Sequence, residues 1–373
     1  MQFQSLEQRM LHTYVDTFPP FVPLREAPAS EESQRQLHAF FEGMYQRFAA
    51  DPSIWFSELH EDDAHPYRFN KAAYGKPKLI VDMRKVLKTV DSFLGVLFSL
   101  GKEGSLEGNI LVLGDTKGVS RKHRAVMAEL GLKLGGLAMP TSSALPKGSG
   151  PSKACVLSHD DLPEMFAAWK WMASRPGASM LAFSRCMFDP DHSYMRDVYR
   201  RLSGCEGAFD MLERYLLEAD HQLVDRRDGG LTVDYVKCRG DAGAKLGHPA
   251  YDHNYTGIAA DYDHVIVVPQ YFMLRILRMR DILPMFDRMD EDLKDFVIEY
   301  NQRCHGCDFC IQRHKARSSA VKRFCVVVEH RGKRYGLCPL FPGHSYCWTS
   351  LDEKRVKGII AFLSFMEREL FAT

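Results

Sequence analysis

The sequence lacks most of the features that assign a function class outright. No apolar run reaches the roughly 18 residues that a membrane span needs. The best stretch, 90–100, is shorter and carries Asp91, Ser92 and Ser99. The opening residues MQFQSLEQRMLHTYVD show neither a basic segment nor an apolar core, so secretion is not expected. Charge of one sign is not in excess: 49 Lys and Arg stand against 48 Asp and Glu, a net charge of +1. A global electrostatic drive toward nucleic acid or a membrane is thereby excluded, although a local patch is not. The sequence has no G-x-S-x-G elbow and no G-x-G-x-x-G fingerprint. Gly114-Asp115-Thr116-Lys117-Gly118 is too short for a phosphate loop and lacks its Gly-Lys-Ser/Thr ending. There is no internal repeat and no low-complexity segment.

What is present is the composition of an ordinary globular protein, 45% hydrophobic and 26% charged over 373 residues. Periodicity predicts an α/β or α+β fold with N-terminal helices, a mixed β-sheet core and a C-terminal Cys-rich β-hairpin carrying a metal site. Three regions are expected: helical over 1–105, an α/β core over 106–285, and a Cys-rich metal-binding region over 286–373. After a proline-rich connector (17–30), Leu37, Phe40, Phe41, Met44, Tyr45 and Phe48 step by three and four along one helix face, capped by Ser30 or Ser33 and ended by Asp51-Pro52. A second amphipathic helix follows Pro77.

In the middle, strands are expected at 110–113, 154–157, 180–183, 231–236, 255–262 and 265–268. Helices are expected at 120–132, 162–174 (capped by Ser158 or Asp160), 194–202 and 208–217. The strand, helix, strand order around 154–183 suggests a βαβ unit and a partly parallel sheet. A helix through Phe272, Ile276, Met279 and Leu283 follows, and Asp290 starts another.

Six of the ten cysteines crowd into the C-terminal region. Cys304, Cys307 and Cys310 form C-x-x-C-x-x-C, followed by Cys325, Cys338 and Cys347. Residues 321–329 and 335–337, joined by a turn at Arg331-Gly332-Lys333, read as a hairpin. A loop and a hairpin bringing soft thiolates together suit zinc. The expected ligands are Cys304, Cys307, Cys310 and Cys338, with Cys347 competing for the fourth place. A [4Fe–4S] cluster is the alternative, since Cys338 precedes Pro339, but His314 stands where the bacterial ferredoxin pattern has its next cysteine. Reduced thiols packed as small hydrophobes are the third reading. Cys325, inside the apolar run 324–328, is expected to pack there. His305, His314 and His344 border the cysteines and could ligate or support the site, with exposed loop histidines as the favoured reading. Without a leader, so many cysteines point to a reducing, cytoplasmic setting.

The tail's C-x-x-C-x-x-C, Leu337-Cys338-Pro339, Phe341-Pro342-Gly343, Tyr346-Cys347-Trp348 and Leu351-Asp352 resembles that of a family of uncharacterised bacterial proteins. The similarity extends back to Met289-Asp290 and 293–297. It implies that the cysteines act as a unit and implies no reaction.

Other polar groups carry less. Arg313, Lys315, Arg317, Lys322 and Arg323 form a basic run without interleaved aromatics and read as a solvated loop. A zinc-stapled nucleic-acid-binding module is thus only a second alternative. Asp189, Asp191 and His192 read as a helix-capping turn. His248, Asp252, His253, Asp261, Asp263 and His264 form the densest His/Asp stretch, with no i, i+4 zinc-protease pair. The expected partner is an unspecified small molecule or protein, and neither nucleic acid nor a membrane.

Overall fold

The computed structural model describes residues 5–59, 77–114, 116, 118–136, 155–226, 232–238, 251–257, 272–276, 279–301, 303–304, 325–339, 345–348 and 350–371. They belong to two compact units, Met1–Asp63 with Val81–Tyr194, and Ala64–Ile80 with Met195–Thr373. The fold mixes helices with antiparallel sheets. Among the described residues, no helix is long and apolar enough to cross a membrane.

The first unit holds α1 (Leu6–Asp16), α2 (Glu31–Ala50), α3 (Pro77–Glu103) from Val81 onward, β1 (Ser105–Glu107), β2 (Ile110–Leu113), α4 (Arg121–Glu129), β3 (Leu132–Gly136), β4 (Cys155–His159), α5 (Met165–Ser174) and α6 (Met180–Ser184). Ser30 caps α2 by accepting from the Ser33 amide, and Asp51 ends it, as the sequence indicates. Leu37, Phe40, Phe41, Met44, Tyr45 and Phe48 are all buried, as are Val86, Val90, Phe93, Leu94 and Leu97 of α3. Each such side chain contributes roughly 1.5–3 kcal/mol through burial, so these two stripes supply much of the unit's stability.

Ser33 also joins helices distant in sequence. Its hydroxyl donates to the Glu164 carbonyl (2.6 Å) and accepts from the Ala168 amide (2.8 Å). The expected caps Ser158 and Asp160 do not serve: α5 starts at Met165, after Glu164, which makes no side-chain cap bond. One of its early amides is satisfied from α2 instead.

Three expectations for this unit are corrected. Residues 180–183 form helix α6, not a strand, because the Ser179 hydroxyl accepts from the Ala182 amide and caps a turn. The helix expected over 120–132 stops at Glu129, and Leu132 opens β3 instead, a short strand rich in glycine. The sheet, of order β1-β2-β4-β3, is antiparallel at every pairing rather than partly parallel. The unrecognised β3 is the reason: it occupies the flank of β4, and in this unit α5 is followed by helix α6 rather than by a strand that could complete a parallel pair.

The second unit begins with α7 (Tyr194–Leu202) and α8 (Glu206–Glu218). It continues through β5 (Gln222–Arg226), β6 (Thr232–Cys238), β7 (Tyr251–Gly257), β8 (Phe272–Arg275), α9 (Met279–Ile282) and α10 (Glu291–Tyr300). Then come β9 (Val326–His330), β10 (Lys333–Leu337), β11 (Ser345–Trp348) and α12 (Glu353–Phe371). A five-stranded antiparallel sheet has the order β11-β8-β7-β6-β5, and β9 with β10 makes a separate hairpin. The helix expected through 272–283 is instead β8 followed by the short α9. Phe272 and Leu274 are both buried, a period of two, and pairing with β7 and β11 overrides the helical spacing. The strand expected at 255–262 is β7 as far as Gly257, and 258–262 and 265–268 lie outside the described residues.

Packing in this unit leaves little slack. Gly358 of α12 sits so close to the Phe296 ring of α10 that any side chain there collides with it. Tyr346 and Trp348 of β11 complete the aromatic cluster, each edge-on or tilted against Phe296. On α8, Glu213 receives both Arg196 (Nε, 2.7 Å; Nη2, 2.5 Å) and the Tyr235 hydroxyl (2.6 Å).

Candidate functional site

The cysteine region is built on α10 and the hairpin. Asp290 caps α10 by accepting from the Leu293 amide (2.8 Å), as the sequence suggests. The helix ends at Tyr300, and the buried Asn301 side chain donates to the Cys338 carbonyl (3.4 Å). The chain then runs antiparallel to β10: Arg303 bridges Leu337, and the Cys304 amide donates to the Gly336 carbonyl (2.8 Å).

The expected hairpin is present. His330 faces Lys333 across a two-residue turn in which Arg331 (φ 49°) and Gly332 (φ 71°) both take left-handed backbone. A two-residue hairpin with both central residues in that region matches the right-handed twist of the strands. The turn is tethered to α10. His330 Nε2 donates to Asp295 (2.6 Å), and Arg331 adds a second bond to the same carboxylate (2.5 Å). The His330 hydrogen bond, with Arg331 beside it, holds the Asp295 carboxyl below its usual range.

Strand alternation sorts the side chains into two faces. Leu337, Val328 and His330 are buried on one, where the Arg303 guanidinium also lies 4.2 Å from the Tyr335 ring centre. On the other, Val327 is 54% exposed and Arg334 and Glu329 are exposed. The register pairs Leu337 with Val326 and Gly336 with Val327. Continued by one residue, it sets Cys325 opposite Cys338. Continued the other way from the Arg303–Leu337 bridge, it sets Cys304 opposite Gly336. Cys304, Cys325 and Cys338 therefore share the second face with Gly336. A Cβ added at Gly336 would stand 2.8 Å from Cys325 Sγ and 3.9 Å from Cys304 Cβ. Cys338 is 7% exposed, and Cys304 and Cys325 are half-buried.

Of the five expected ligands, the structure thus gathers Cys304 and Cys338 on one strand pair. Cys347 belongs to β11, where its backbone pairs with Met273 in the five-stranded sheet rather than with the hairpin. Cys307 and Cys310, with His305, His314, His344 and the basic residues Arg313, Lys315, Arg317, Lys322 and Arg323, lie outside the described residues. Among the described residues, no three His, Cys, Asp or Glu side chains form a set that could hold a metal ion.

Cys325, expected to pack within the apolar run 324–328, is half-buried and lies just before β9 on the face of Gly336. The available signal was Gly336: an isolated glycine within a strand marks a close approach by another group.

The remaining candidates resolve more simply. The Asp191 amide donates to Asp189 Oδ1 (2.8 Å), and the Asp189 amide donates to the Tyr194 hydroxyl (3.0 Å), which makes this segment a turn ahead of α7. The Tyr194 hydroxyl is pushed up to about 12 by burial. Thr116, in the short Gly114–Gly118 loop, accepts from Arg124 at both its carbonyl (3.0 Å) and its hydroxyl (2.8 Å). Asp252 and His253 lie in β7, while His248, Asp261, Asp263 and His264 are outside the described residues.

Comparison with protein-family models, with curated proteins and with solved structures finds no match for this chain.

Proposed function

We propose that this is a cytoplasmic metal-binding protein whose C-terminal cysteines hold a structural zinc ion. The ligands are drawn from Cys304, Cys307, Cys310 and Cys338, with Cys347 as the competing donor. The observation that carries the reading is the Cys304 amide on the Gly336 carbonyl, two residues before Cys338 on the same strand. This bond sets the first cysteine of the C-x-x-C-x-x-C run opposite Gly336, two residues before the cysteine remote in sequence. Four thiolates saturate zinc and leave no position for water, so the ion supports structure rather than hydrolysis. It would join the end of α10 to the hairpin.

A [4Fe–4S] cluster on the same cysteines is the second reading, favoured by Pro339 immediately after Cys338. A zinc-stapled nucleic-acid-binding module is the third, and it rests on the basic run alone. Metal analysis and absorption of anaerobically purified protein decide among them. About one zinc per chain in colourless protein supports the zinc reading. Brown protein with a band near about 400 nm replaces it with the cluster. Protein that takes up neither metal overturns both. Nucleic-acid binding that weakens steeply with salt would support the third reading.

A further inference from the structure

We propose that the first unit carries a binding site for a phosphorylated small molecule, in a basic cleft where Lys85, Lys88 and Lys122 meet the start of α4. The site owes nothing to the cysteine region, which belongs to the other unit.

Three segments far apart in sequence line the cleft, whose volume is about 600 Å³. One is a short 3-10 turn (Pro52–Ile54), which ends at Trp55. The second is α3, where Lys85, Lys88, Thr89 and Ser92 step by three and four and so share a face. The buried stripe of the same helix, through Val86, Val90 and Phe93, packs into the core. The third is the first turn of α4. There the Ser120 hydroxyl accepts from the His123 amide (3.1 Å), and Lys122 and His123 join it in the lining. Sites for small molecules commonly span ~300–1,000 Å³, so the cleft has room for an organic group beside a phosphate.

Charge selects the ligand class. Among the described residues, no carboxylate lines the cleft, and none forms an ion pair with Lys85, Lys88 or Lys122. By contrast, Lys133, Lys294 and Lys357 each pair with a neighbouring carboxylate. Three unbalanced ammonium groups in a concave surface concentrate a positive field and attract an anion. Lysine binds phosphate as a point charge. The helix start adds to it: an α-helix leaves the amides of its first turn without internal acceptors, here those of Arg121 and Lys122, and its positive end favours an anion.

The floor of the cleft supplies a separate observation. Trp55 is only 3% exposed, yet its Nε1 is buried without a hydrogen-bond partner among the described residues, and so is His123 Nδ1. Buried nitrogens of this kind are uncommon, and polar atoms of a bound ligand would pair with them. Lys122 controls the approach. It donates to the Trp55 carbonyl and lies 5.6 Å from the centre of that ring, so swinging toward a phosphate would uncover the indole. Burial, with Lys122 beside it, lowers the His123 pKa. The ring is therefore uncharged at neutral pH, and the lysines supply the positive charge of the cleft.

The test is calorimetric titration of the full-length chain with inorganic pyrophosphate. Saturable binding at one site is expected. Lys88→Gln should weaken it by about tenfold, the worth of one charge-assisted hydrogen bond, and Lys85→Gln with Lys88→Gln should weaken it further. These side chains are exposed, so the substitutions leave the core intact. Lys102→Gln, on the same helix but outside the cleft, should leave binding unchanged. No saturable binding, or equal weakening by Lys102→Gln, overturns the proposal. A DNA duplex that binds more tightly than pyrophosphate through the same lysines, with a steep loss in salt, also overturns it and makes the cleft a nucleic-acid contact.

Discussion

The amide of Cys304 donates to the carbonyl of Gly336 at 2.8 Å, and this bond, next to the isolated Arg303–Leu337 bridge, sets the chain after α10 against the free edge of the two-stranded hairpin. It places a thiol from the end of α10 beside β10, while the hairpin brings another from the opposite side. The glycine is the pivot, since Cys325 Sγ and Cys304 Cβ both lie close to where its side chain would stand.

Gly336→Ala should therefore disturb the thiols before it disturbs anything else. The new methyl would lie 2.8 Å from Cys325 Sγ, too close for either atom to stay in place. The expected outcome is a loss of ~1–3 kcal/mol in stability, as for other overpacking substitutions, together with weaker zinc retention. Chemical denaturation and chelator competition measure the two. A variant with wild-type stability and zinc affinity would show that the space is not constrained.

Cys307→Ser should lower metal content and melting temperature together, because binding energy at such a site is folding energy. Elemental analysis and a thermal melt of the same sample check this. Unchanged values for both would remove Cys307 from the ligand set.

Glu213 should make the second unit acid-sensitive. Burial works against its charged form, but the bonds from Arg196 and Tyr235 outweigh it and leave the carboxyl below its ordinary value. A folded-state pKa lower than the unfolded one gives stability that is present above the unfolded value and lost as pH falls through the folded one. Glu213→Gln should therefore flatten the stability profile below about pH 4.5, the ordinary glutamate value. At neutral pH, Glu213→Ala should cost less than the ~3–5 kcal/mol of a fully buried pair, because Arg196 remains about a third exposed (34%). Denaturation curves across pH for the two variants test both statements.

Ser33→Ala should loosen the first unit. It removes the hydroxyl that bonds both the Glu164 carbonyl and the Ala168 amide, leaving the buried Ala168 amide of α5 without that partner. A loss of ~1–3 kcal/mol is expected, against the ±0.5 kcal/mol of an ordinary surface change. Ser33→Thr, which keeps the hydroxyl, should recover part of it in the same denaturation assay.

Much of the local structure was legible without coordinates. The 3.6-residue stripes of α2 and α3, the caps at Ser30 and Asp290, and the Arg331-Gly332 turn are written in neighbouring residues, since caps and turns depend on a few atoms close in sequence. So was the pairing of a hairpin with a cysteine-rich segment. Illegible was β8, a short apolar run whose extended state depends on pairing with β7 and β11, whereas α6 was misread although its cap at Ser179 is local. The position of β3 beside β4, and with it the antiparallel sheet, also depended on a partner remote in sequence.

The candidate site divides in the same way. By itself the sequence determined that thiols are concentrated near the C-terminus and that a hairpin lies among them, because residue type and turn chemistry are local properties. Only the tertiary structure decided which thiols share a face. It set Cys304 against Gly336, turned Cys325 away from the packed side of the hairpin, and paired the Cys347 backbone in another sheet. The physical reason is register: alternation puts successive side chains on opposite faces, so a one-residue difference in pairing moves a sulfur from one side of a strand to the other.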